Sequence, residues 1–85
     1  MAIADTDLIE RYVEPDSPRW GAAGSRLHES GVEVWVLVAQ LPALDGDVGR
    51  LAAAYGPPRV AVEAALAYYR RHKDVIDARI ALNAA

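Results

Sequence analysis

The stretch "RLAAAYGPPRVAVEAAL" (Arg50–Leu66) decides the fold. It is a small-residue run, a glycine, two prolines and a second apolar run. Val48, Leu51, Ala52 and Tyr55 recur at helical spacing and predict a helix over about 46–55. Asp45 or Asp47 is suited to cap its positive end. Gly56 stands where a helix closes in the left-handed region, and Pro57 forbids continuation. Pro58 suits the first turn of the next helix, predicted over about 58–72. A small residue (Ala52), a glycine four later (Gly56) and an apolar residue six after that (Val62) form a helix-turn-helix pattern. Such a corner serves equally as a reader of nucleic acid or as a way to pack a small helical domain.

The second helix of the corner carries Val62, Leu66 and Tyr69 as its core stripe, with Tyr68 near an edge. The 4-3 spacing continues through Lys73, Ile76 and Ile80. The helix therefore either runs on or breaks near Lys73-Asp74 and restarts over about 74–82.

Upstream, "GVEVWVLVAQL" (Gly31–Leu41) is ambiguous. Val32, Val34, Val36 and Val38 alternate as in a strand. Ser30 followed by Glu33 instead has the spacing of a capping box. The expectation is a helix over about 31–41, ended by Pro42. "LIERYV" (Leu8–Val13) mixes β-branched, aromatic and charged residues and predicts a strand over about 8–13. "SRLHE" predicts a second short strand over about 25–29. The fold class expected is mainly α: a helix-turn-helix bundle with two short N-terminal strands.

Eighty-five residues make one domain, and a domain of that size buries only about 60% of its unfolded surface. Of the apolar residues, 17 are alanine, and there is no cysteine to form a disulfide or a thiolate metal site. A homodimer or a tight partner is the remaining source of stability. No long apolar run opens the chain, which points to a cytoplasmic protein without a membrane segment. The net charge of −3 divides unevenly: residues 1–45 hold three arginines against eight acids, residues 46–85 six basic residues against four acids.

Several segments together resemble the domain-of-unknown-function 433 family, which includes VapB-type antitoxins: "GSRL", "GVEVWVLVAQL", "VGRLAAAYG" and "VEAALAYYRRHKDVIDARI". The resemblance spans roughly Leu8 to Asn83, and "GSRL", "VW" and "AALAYYR" are its most specific parts. The chain departs from the commoner pattern at "SPRWGAAGSRL". The resemblance implies a homeodomain-like helix-turn-helix, homodimers, and pairing with a PIN-like ribonuclease toxin; operator DNA stays open as a further partner.

Residue chemistry fits an interaction protein better than an enzyme. Were the corner a DNA reader, Pro58, Arg59, Val60, Glu63 and Ala64 would face outward, and only Arg59 has the fork suited to a guanine edge. Arg70, Arg71 and Lys73 could hold phosphates. They could equally stabilise a helix end, with Arg70–Asp74 and Lys73–Asp77 as i,i+4 pairs. His28 and His72 are far apart in the chain, and no cofactor or metal is implied. Trp20, Trp35, Tyr68, Tyr69, Ile76, Arg79 and Ile80 are the candidates for a dimer or toxin interface. Arg70, Arg71 and Arg79 share one amphipathic segment, and Arg79 could reach across to the carboxylates of such a toxin or be an ordinary solvated helix residue. The alternative is a DNA-binding regulator without a toxin.

Overall fold

The computed structural model describes residues 5–15 and 21–84. Trp20, a candidate interface residue, lies outside them. The chain is mainly helical with a small antiparallel sheet near the N-terminus. In order come α1 (Asp5–Tyr12), β1 (Val13–Glu14), a 3-10 turn (Ala22–Gly24), β2 (Arg26–Leu27), α2 (Val34–Gln40), a second 3-10 turn (Leu41–Leu44), α3 (Val48–Tyr55), α4 (Arg59–Arg71) and α5 (Lys73–Ala84).

The expected strand over 8–13 is almost entirely helix. Asp5 and Asp7 sit in the first turn of α1, where acids complement the helix dipole. Ile9 is buried, with Leu8 and Tyr12 packed beside it. The β-branched and aromatic residues that suggested a strand suit a helix once α4 offers a surface to cover, since burial overrides weak local propensity. Only Val13–Glu14 is extended, Val13 pairing with Leu27 and Glu14 with Arg26. The strand expected over 25–29 shrinks to Arg26–Leu27, and His28–Ser30 form a turn.

The helix expected over 31–41 exists but begins later, and its predicted cap is not the one used. Glu33, extended at φ −75° and ψ 142°, is the N-cap of α2 and makes no side-chain cap bond. Its carboxylate accepts from the Trp35 indole N–H instead. The Ser30 hydroxyl accepts from the Val32 N–H at 3.3 Å, outside the helix. Backbone pairing displaced the capping box: Leu27 N–H donates to Val32 O at 2.8 Å and Val34 N–H to Ser25 O at 3.0 Å. Those bonds hold residues 32–33 extended against β2. Val34 and Leu37 then enter the core.

The α3–α4 corner follows the expectation closely. Asp47, not Asp45, caps α3 by accepting from the Arg50 N–H at 3.1 Å. Gly56 closes it at φ 95°, its N–H donating to Ala52 O at 2.8 Å. Pro58 is the extended residue before α4 rather than part of its first turn.

α4 is the central helix, packed against α1, α2 and α3. Its buried surface is therefore broader than one stripe: Ala61, Val62, Ala64, Ala65, Ala67 and Tyr68. Alanines let the neighbouring helices approach closely. The tyrosines exchange their expected places. Tyr68 is buried and donates its hydroxyl to Pro15 O at 2.5 Å, while Tyr69 is half-buried. Ala64, expected to face outward, is fully enclosed. The helix breaks at His72 (φ −130°, ψ 34°), and α5 restarts at Lys73. Ile76 is fully buried and Ile80 partly so. Among the described residues no helix is long and apolar enough to cross a membrane.

Candidate functional site

The helix-turn-helix corner has the packing its sequence implied: Ala52 and Val62 are buried on either side of Gly56. Its reading surface is poor. With both flanks of α4 covered, what faces outward is a narrow line of Arg59, Glu63 and Arg70, with Leu66 half-buried among them. Arg59 turns back along that line to pair with Glu63 at 3.3 Å.

The basic run Arg70–Lys73 surrounds the elbow where α4 gives way to α5, and with Asp74 and Val75 it lines a shallow cleft of about 340 Å³. Arg70 reaches Asp5 of α1 at 3.7 Å rather than the expected Asp74. Arg71 donates to the Thr6 hydroxyl at 2.9 Å. Lys73 pairs with Asp77 at 2.9 Å, as expected. The Tyr69 hydroxyl donates to the same carboxylate at 2.7 Å, and the Lys73 ammonium lies 5.6 Å from the Tyr69 ring centre. The Tyr69 hydrogen bond, then that of Lys73, holds the Asp77 carboxyl below its ordinary range. Hydrogen bonding to Asp77 raises both Lys73 and Tyr69. The directions favour the ionised carboxylate and ammonium and the neutral phenol, the forms that make the clasp between α4 and α5.

A second clasp holds α5 to α2. The Arg79 guanidinium lies over the Trp35 ring, 5.3 Å from its centre, and meets Glu33 at 3.8 Å. Its side chain is only 16% exposed. Arg79 thus serves an internal contact, as Ile76 and Tyr68 serve the core. Of the expected interface residues within the described chain, Trp35, Tyr69 and Ile80 keep partial exposure.

The other face of α5 is apolar and uncovered. Val75 is 48% exposed and Leu82 69%, with exposed Ala78 between them at i, i+3, i+7 spacing. The charged residues Lys73, Asp77 and Arg79 are drawn into the two clasps, and Asp74 alone stands at the head of the outer stripe. A surface helix ordinarily turns its polar residues outward. Here the two sides are nearly alike in hydropathy.

A larger cleft, about 520 Å³, opens between the 28–30 turn and the α3–α4 corner. Tyr12, Leu27, Pro57 and Ala61 form its floor, with Arg11 and His28 on the rim. Among the described residues, no three His, Cys, Asp or Glu side chains converge to hold a metal ion. No family model, curated protein or solved structure matches the chain.

Reading the sequence missed Asp5, Thr6 and Glu33 as partners of the basic residues, because each pairing joins distant or newly formed elements. It also missed Val75 and Leu82. Their spacing is visible in "DVIDARIAL", but the parallel stripe of Ile76 and Ile80 has the same period, and only packing decides which faces inward.

Proposed function

We propose that this chain is an antitoxin-like interaction protein that binds and neutralises a PIN-like ribonuclease toxin, acting in the cytoplasm as a homodimer and not as an enzyme. The observation that carries the reading is the outer stripe of α5, Val75–Ala78–Leu82, apolar and exposed on a helix already anchored by its other face. An exposed apolar helix face is what a partner's groove receives. The family resemblance supplies the kind of partner. Docking runs through the outer stripe, not through Arg79, which would have to abandon Trp35 and Glu33 to reach a toxin.

The test is co-expression with the product of the adjacent reading frame, followed by co-purification and a nuclease assay. Val75→Glu with Leu82→Glu is expected to abolish co-purification and restore nuclease activity while leaving the helical circular dichroism unchanged. A double variant that still binds and inhibits like wild type overturns the reading. Light scattering on the isolated chain at micromolar concentration tests the dimer.

A second reading, a DNA-binding regulator, is favoured by the Ala52–Gly56–Val62 corner and weakened by the Arg59–Glu63 pair and the enclosed Ala64. On this geometry α4 would touch backbone phosphates more than base edges. Equal affinity for unrelated duplexes is the expected result, and strong preference for one operator sequence would show that bases are read.

A further inference from the structure

We infer that the first turn of α1 is an internal competitor for phosphate at the basic end of α4. The inference rests on the DNA-contact reading, and it assigns that reading its regulation. Two of the three cations at the α4–α5 elbow already hold oxygen ligands from α1. The Asp5 carboxylate stands 3.7 Å from the Arg70 guanidinium, and the Thr6 hydroxyl accepts from Arg71 at 2.9 Å. A carboxylate oxygen and a neutral oxygen side by side present the same two cations with what a phosphodiester would present. Both contacts are on the surface, the Arg70 and Asp5 side chains being 63% and 53% exposed, so a multivalent anion can displace them.

The partner that fits is the backbone of a DNA duplex. Arg59 and Arg70 lie on one exposed line of α4, eleven residues apart and therefore about 16 Å along the axis. A major groove is about 12 Å wide. A helix with a cation at each end and little between them to read bases spans such a groove from phosphate to phosphate. The other acids in the first turns of the two helices are Asp7 of α1 and Asp74 of α5, with Asp77 further along α5. Asp77 is engaged by Lys73 and Tyr69, which leaves Asp5 as the acid set directly against the end of that line.

The experiment is fluorescence anisotropy of a labelled 20-base-pair duplex titrated with the full chain across a range of salt. Four proteins are compared: wild type, Asp5→Asn with Thr6→Ala, that pair with Arg70→Ala added, and Glu10→Gln. The last makes the same change of charge on α1 away from the elbow. Circular dichroism confirms an equal fold in all four. The Asp5→Asn/Thr6→Ala protein is expected to bind roughly two- to five-fold tighter than wild type. Its salt dependence should steepen by about one counterion. Arg70→Ala should cancel both gains, and Glu10→Gln should reproduce neither. If wild type binds but the double variant is no tighter than Glu10→Gln, the competitor is overturned and the DNA reading stands. If none of the four binds at low salt, both fall.

Discussion

Arg79 lies over Trp35 with its guanidinium 5.3 Å from the ring centre, and both side chains share Glu33, which joins the head of α2 to the middle of α5. The contact combines a cation on an aromatic face, an ion pair, and packing of a long aliphatic stem at 16% exposure. Arg79→Ala is expected to lower stability by about 2 kcal/mol. Arg79→Lys keeps the charge but not the plane that stacks, and should recover about half of that. Urea unfolding followed by tryptophan fluorescence measures both. Equal stability of wild type and Arg79→Ala would show that the contact does not hold α5.

The two candidate N-caps separate cleanly. Asp47→Ala removes a bond to the Arg50 N–H and should cost about 1 kcal/mol. Ser30 caps no helix, and Ser30→Ala should cost less than about half of that. Thermal unfolding of the two variants side by side gives the comparison.

Gly56→Ala isolates backbone strain. A Cβ at this position meets no atom within 4 Å, so no clash arises, yet φ is +95°. The expected loss is about 1 kcal/mol or more, with spectra of the folded state unchanged. A neutral result would mean that the turn can relax without cost.

Ser25 is 1% exposed, and among the described residues its hydroxyl oxygen has no hydrogen-bond partner. An enclosed polar atom without a partner costs free energy. Ser25→Ala is therefore expected to be neutral or to raise stability by up to about 1 kcal/mol. Loss of stability would reveal a hydroxyl contact formed in solution.

The α4–α5 clasp sets a pH range. Asp77 is depressed below its ordinary 3.8, so its contribution is present above that value and is lost as pH falls through the lower folded-state value. Tyr69 and Lys73 are raised above 10.0 and 10.5, so theirs are present below those values and are lost as pH climbs through the higher folded-state ones. Between these limits the clasp is indifferent to pH. Amide exchange in α5, corrected for its intrinsic pH dependence, should show constant protection through neutrality and, in wild type, a loss at acid pH below the ordinary carboxylate range. The loss should be absent from Asp77→Asn.

The corner was legible in sequence because Gly56, Pro57 and Asp47 act locally: each restricts its own backbone or that of a near neighbour. α1 was not, because Leu8, Ile9 and Tyr12 form a helix against a surface more than fifty residues away. The Tyr68–Tyr69 exchange has the same cause. A stripe at 4-3 spacing predicts one buried face, and α4 has two. The Ser30–Glu33 capping box lost to backbone bonds with β2, a competition invisible to spacing. The candidate site was legible in kind, as basic residues and apolar positions near the C-terminus. Which of them turn inward depended on helix faces set by the whole packing.

Because the backbone ladder of α4 stops at His72 and resumes beyond it, α5 can detach without breaking any hydrogen bond inside α4. Ile76 is its one fully enclosed side chain among the described residues. Releasing the helix uncovers that residue and opens two clasps, far less than the cooperative loss of the remaining core. The native ensemble therefore contains a rung below global unfolding, in which the last twelve helical residues are loose and the rest stays folded. Anything that clamps α5 against α2, such as the proposed partner, would empty this rung, so that protease resistance of α5 would become a measure of occupancy.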